Sequence, residues 1–73
     1  MYQITLQISD MMCSMCEKHI NEAIEKSFTV TEVTSSHEKH ETTVRSEQQL
    51  DVQAVCDAVT AAGYTVESVS QKS

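Results

Sequence analysis

Hydrophobic and polar residues alternate from the start of the chain. Tyr2, Ile4, Leu6 and Ile8 fall on one face and Gln3, Thr5 and Gln7 on the other, the period of a strand with one face buried. After residue 14 the period lengthens. Cys16, Ile20, Ala23, Ile24 and Ser27 recur at helical spacing, which predicts a helix over 15–27 with that stripe turned inward. Ser14, with Glu17 three residues on, fits a capping box and places Ser14 at the N-cap. The Thr- and Val-rich segment 28–36 predicts a second strand and 42–46 a third. His37-Glu38-Lys39-His40 reads as the hairpin between them, without the Asn-Gly or Gly-Gly pair that would fix its register. Val52, Val55, Cys56 and Val59 stripe a second helix over 52–62. Asp51 is placed as its N-cap, and Gly63 sits where a C-cap glycine belongs. Residues 64–70 predict a fourth strand.

The order is βαββαβ, which folds most simply as a four-stranded antiparallel sheet with two helices on one face. That is the ferredoxin-like α+β arrangement. No linker or low-complexity run interrupts it, so 1–73 is expected to form one domain. This topology sends three connections to the same end: 9–14, 37–40 and 63–64. Several inward positions of the second and third strands are polar, namely Ser35, His37 and Ser46.

Composition narrows the function. A domain of 73 residues has a thin core, burying only about 60% of its unfolded surface, so a surface site is more natural than an enclosed one. Eleven acidic residues against five basic give a formal charge of −6. Nucleic-acid phosphates and anionic membranes are disfavoured by that balance, and cations or basic protein partners are favoured. The N-terminal segment has neither a basic region nor a continuous apolar run, and no stretch approaches the roughly 18 apolar residues of a span. A cytoplasmic location with reduced thiols is therefore expected, and three cysteines, an odd count, also argue against a disulfide framework.

Cys13 and Cys16 form C-x-x-C across a strand-to-helix junction. Unpaired N–H groups and the positive end of the helix dipole favour thiolates there. Two thiolates on a loop close readily on one soft ion. Cu(I), with its low coordination number, suits two ligands better than tetrahedral zinc does. The dithiol equally fits a redox pair, but the chain has no proline and no aromatic beside the motif. Met12 and Met15 flank the thiols as apolar partner contacts or soft thioether donors. His19 lies a turn beyond Cys16, either a solvated helix residue or an accessory metal ligand. His37 and His40 form H-x-x-H in the hairpin, a polar turn or a weak accessory site. Cys56, on an inner helical stripe, reads as core filler.

Met11-Met12-Cys13-Ser14-Met15-Cys16 resembles the M-x-C-x-x-C motif of heavy-metal-associated domains, the small copper chaperones and N-terminal modules of copper-transporting P-type ATPases. Ala62-Gly63-Tyr64 is similar to the loop before the last strand in bacterial members, and Val55 to Val59 to their second helix. The resemblance implies Cu(I) ligation by Cys13 and Cys16, with Met11 tucked under the loop and Tyr64 shielding or tuning the site. It implies no enzymatic activity. Copper would pass by ligand exchange to a P-type ATPase domain or a copper-responsive repressor. The protein would be monomeric when apo, with copper-linked homodimers as loading rises and His19 a further ligand in them. A carrier or sensor of Hg, Cd or Zn is the alternative, and a small thiol–disulfide oxidoreductase a further one. Where the family usually has Gly before the motif Met, Asp10 stands here, removing φ freedom and adding negative charge. Thr29-Val30 replaces the usual Gly-Val entering the second strand.

Overall fold

A computed structural model describes residues 2–9 and 14–72, with side chains at 2–9 and 15–71. The elements are β1 (Tyr2–Ile8), α1 (Ser14–Ser27), β2 (Glu32–Ser36), β3 (Glu41–Ser46), α2 (Val52–Ala61) and β4 (Val66–Lys72). The strands form one sheet in the order β2-β3-β1-β4, every neighbouring pair antiparallel. This is the expected ferredoxin-like α+β fold.

Period-two patterning decides which face of β1 is covered. Ile4, Leu6 and Ile8 are buried, and Ile4 faces Val44 of β3 in the ladder. Ile20 and Ile24 of α1 and Val55 and Val59 of α2 close over that face and complete the core. Burying one such side chain contributes about 1.5–3 kcal/mol, so these aliphatics supply most of the drive to fold. The inner face of β3 adds Thr42 and Ser46, both buried. Their hydroxyls are partnered: Thr42 Oγ1 lies 2.9 Å from Ser35 Oγ, which donates to Asn21 Oδ1 at 2.6 Å, and Ser46 donates to the Gln48 carbonyl. The polar inward positions are thus accommodated by hydrogen bonding, as burial of polar groups demands.

Element boundaries differ from those expected by one residue at the starts of α1 and β3 and the end of α2, and by more at β2 and β4. Residue 28 does not start a strand. The Phe28 N–H still bonds the Ile24 carbonyl at 2.9 Å, continuing the helical pattern, and Phe28 and Val30 pack on the core before β2 begins at Glu32. Strand β4 begins at Val66, because residues 62–64 close the end of α2. The Tyr64 N–H bonds the Val59 carbonyl (3.3 Å) and the Gly63 N–H the Thr60 carbonyl (3.0 Å), with Gly63 at φ 101°, a Schellman-type stop. Ser14 is the first residue of α1 and does not precede it, and Ser27 is exposed instead of lining the inner stripe. Asp51 caps α2 as expected, accepting from the Gln53 N–H at 3.0 Å.

The end of the sheet where β1 stops gathers the 37–40 turn and the connection that follows α2; of the expected 9–14 connection, residues 10–13 lie outside the described residues. Ile8 N–H bonds the His40 carbonyl at 2.7 Å, and Ser9 N–H bonds the Thr65 carbonyl at 3.1 Å. The β1–β4 register shifts between Gln7 and Ile8, a bulge placed where the chain leaves the sheet. Bulges re-aim a strand next to functional loops.

Candidate metal centre

Cys16 lies in the first turn of α1, half-buried against the edge of the core. The first turn of a helix presents N–H groups with no intrahelical acceptor, and the positive end of the helix dipole favours an anionic thiolate there. Met15 beside it is 61% exposed, the most open large hydrophobic side chain described. Met11, Met12, Cys13 and Asp10 lie outside the described residues, so the roles expected of Cys13 and Met11 rest on the sequence.

Of the other residues singled out by sequence, two are brought together. Tyr64 Oη lies 3.4 Å from His19 Nδ1, a long hydrogen bond between residues 45 apart in sequence. Tyr64 is placed by the Schellman turn and packs partly on the core, and His19 projects from the exposed side of α1. His19 shares a helix with Cys16 at i, i+3, a spacing that makes neighbours on a helical surface.

The hairpin histidines take a different part. One oxygen of the Glu17 carboxylate accepts from both the His37 backbone N–H and His37 Nδ1, each at 2.7 Å. Those contacts hold the Glu17 carboxyl below the ordinary carboxylate range, the backbone hydrogen bond being the largest cause and the ring hydrogen bond the next. His40 adopts the left-handed conformation at φ 55°, which lets the turn close without the glycine that such hairpins prefer. Among the described residues, no group of three His, Cys, Asp or Glu side chains gathers to hold a metal. The sequence reading gave Glu17 only a local capping role. Nothing in local spacing points to its contact with His37, twenty residues away.

Cys56 stands apart from this chemistry. It packs partly on the core from α2, and burial first, then the charge of Asp57, pushes its thiol pKa up. A depression lined by Thr29, Val30, Thr31, Glu47 and Gln48 lies at the end of the sheet opposite the 37–40 turn.

Solved structures carry the same architecture. The heavy metal binding protein from Thermotoga maritima superposes with a TM-score of 0.80 at 23% identity, over 96% of this chain and 98% of that one. The CopZ metallochaperone matches with a TM-score of 0.80 at 25% identity, over 88% and 97%. Oxidized MerP from Ralstonia metallidurans matches with a TM-score of 0.76 at 28% identity, over 93% and 100%. No protein-family model matches the sequence, and no curated protein matches it. The class defined by element order, sheet order and topology is the ferredoxin-like α+β fold in its small two-helix form. Within that class the chain has the fold of the heavy-metal-associated domains.

Proposed function

We propose that the chain is a non-catalytic carrier of a soft heavy-metal ion, Cu(I) in the first place, held by the thiolates of Cys13 and Cys16. The observation that carries the reading is the position of Cys16. The second cysteine of a C-x-x-C pair stands in the first turn of a helix, at the end of the fold where the β2–β3 turn and the Gly63–Tyr64 turn also lie. The fold shared with a metallochaperone and a heavy metal binding protein supports it. The donor chemistry supports it too: two soft thiolates suit a low-coordinate ion.

Transfer needs no redox change. An incoming thiolate of the partner adds to the ion, a thiolate of this chain leaves it, and the second exchange completes the hand-over. The partner fitting this chemistry is a protein with its own exposed cysteine pair, such as a copper-transporting P-type ATPase domain or a copper-responsive repressor, in the cytoplasm. Among the described residues no helix is long and apolar enough to cross a membrane. Above one equivalent of copper, two copies meet at this end and share ions among four thiolates, with His19 supplying a further ligand. Light scattering across a Cu(I) titration reads that step, and a protein still monomeric at two equivalents removes it.

The deciding experiment is competition for Cu(I) and Zn(II) against chelators of known affinity, under strict reduction. The parent should prefer Cu(I), and Cys13→Ser or Cys16→Ser should lower its affinity by orders of magnitude. Equal binding by Cys13→Ser would overturn the site, and a preference for Zn(II) or another soft ion would overturn copper as the cargo.

A further inference from the structure

The turn at residues 37–40 touches both flanks of the segment that carries the thiols. On one flank the His40 carbonyl accepts from the N–H of Ile8, the last residue of β1, at 2.7 Å. On the other flank the His37 N–H and ring Nδ1 both donate to Glu17, one residue past Cys16 in α1, each at 2.7 Å. The chain between Ile8 and Glu17 therefore begins and ends in hydrogen bonds to one turn. The Glu17 carboxylate is well placed to hold such a contact, its side chain being only 24% exposed. Hydrogen bonds to an ionised carboxylate are short and about twice as strong as neutral ones.

The geometry points to a positioning role for Glu17 and His37. Their contact, with the His40–Ile8 bond, fixes the two ends of the thiol-bearing segment relative to each other and so holds Cys16 ready to take an ion. The inference rests on the Cys13–Cys16 reading and gives the H-x-x-H motif a use other than binding metal. His37 Nδ1 is occupied by Glu17, and no metal-binding group forms around it among the described residues. The Glu17–His37 contact acts through the frame that holds the thiols. Outer groups that orient metal ligands typically govern about 10- to 100-fold in affinity.

The test uses Glu17→Ala, His37→Ala, their double variant, and Glu17→Gln, which keeps an acceptor for the His37 N–H. Two readouts are taken: amide hydrogen exchange over residues 9–16 in the apo protein, and Cu(I) affinity by chelator competition. Far-UV circular dichroism identifies any variant that fails to fold, and Glu17→Gln then serves in place of Glu17→Ala. Glu17→Ala should speed exchange over 9–16 selectively and weaken Cu(I) about tenfold. The double variant should be no weaker than the weaker single, and Glu17→Gln should fall between parent and Glu17→Ala. Exchange over 9–16 and affinity both equal to the parent's would overturn the inference, as would additive effects in the double variant. A parent that does not bind through its cysteines overturns the metal reading alone, because the exchange measurement on the apo protein still decides whether the turn braces the segment.

Discussion

Cys56 and Glu17 show how tertiary contacts reset the chemistry of a single side chain. The Cys56 thiol is held protonated by burial and by Asp57, and a protonated thiol is a poor nucleophile and a poor ligand. Cys56→Ala should leave Cu(I) stoichiometry intact while costing about 1 kcal/mol of packing. Copper titration and chemical denaturation of the variant check both halves. Iodoacetamide at neutral pH should also modify Cys56 more slowly in the folded protein than in urea. The Glu17 carboxyl is shifted the other way, held down chiefly by the His37 N–H. A carboxyl depressed on folding stabilises the native state above its unfolded pKa, and that contribution disappears as pH falls through the folded value. The stability difference between apo parent and Glu17→Gln should therefore be largest near neutral pH and shrink as the solution is acidified below the ordinary carboxylate range. A difference that grows on acidification would contradict this sign.

Elements were legible where their signals are local. The alternation in β1 and the Asp51 and Gly63 ends of α2 need only neighbouring residues, and the structure bears them out. Gly63 is required for its backbone: at φ 101° a Cβ would meet no atom within 4 Å, so the strain of the conformation alone sets the cost. Gly63→Ala should destabilise the fold by about 1–2 kcal/mol. Thermal unfolding reads this, and no loss of stability would show that the turn relaxes. What was not legible is what depends on distant partners. Phe28 looked like the start of a strand because Thr and Val follow it, yet its N–H completes α1. Glu17 satisfied a local capping pattern, and a turn twenty residues away claimed its carboxylate instead. The gathering of connections at one end followed from element order. The approach of His19 to Tyr64 within that end did not, since it depends on the exact stop of α2.

At the scale of the whole molecule, a formal charge of −6 on a chain of 73 residues makes encounter with a partner electrostatic. Opposite charges steer association, and their reach contracts to about 8 Å at physiological ionic strength. Transfer to a cysteine-bearing partner with a basic face should accordingly slow as salt is raised, mostly through the association rate. Stopped-flow transfer at low and high salt tests it, and rates independent of salt would mean that apolar contacts such as Met15 govern docking. The order β2-β3-β1-β4 has a consequence for synthesis as well. The strand made first, β1, lies inside the sheet with neighbours on both sides, and its second neighbour is the strand made last of the four. On the ribosome, Ile4, Leu6 and Ile8 have no ladder until β3 emerges, and one edge of β1 stays open until β4 follows. Such long-range pairing is slow to form. The Ser9–Thr65 hydrogen bond belongs to that final step. A nascent chain therefore carries both cysteines of its motif long before it has the sheet that frames them, and through that interval its thiols are those of an unfolded peptide.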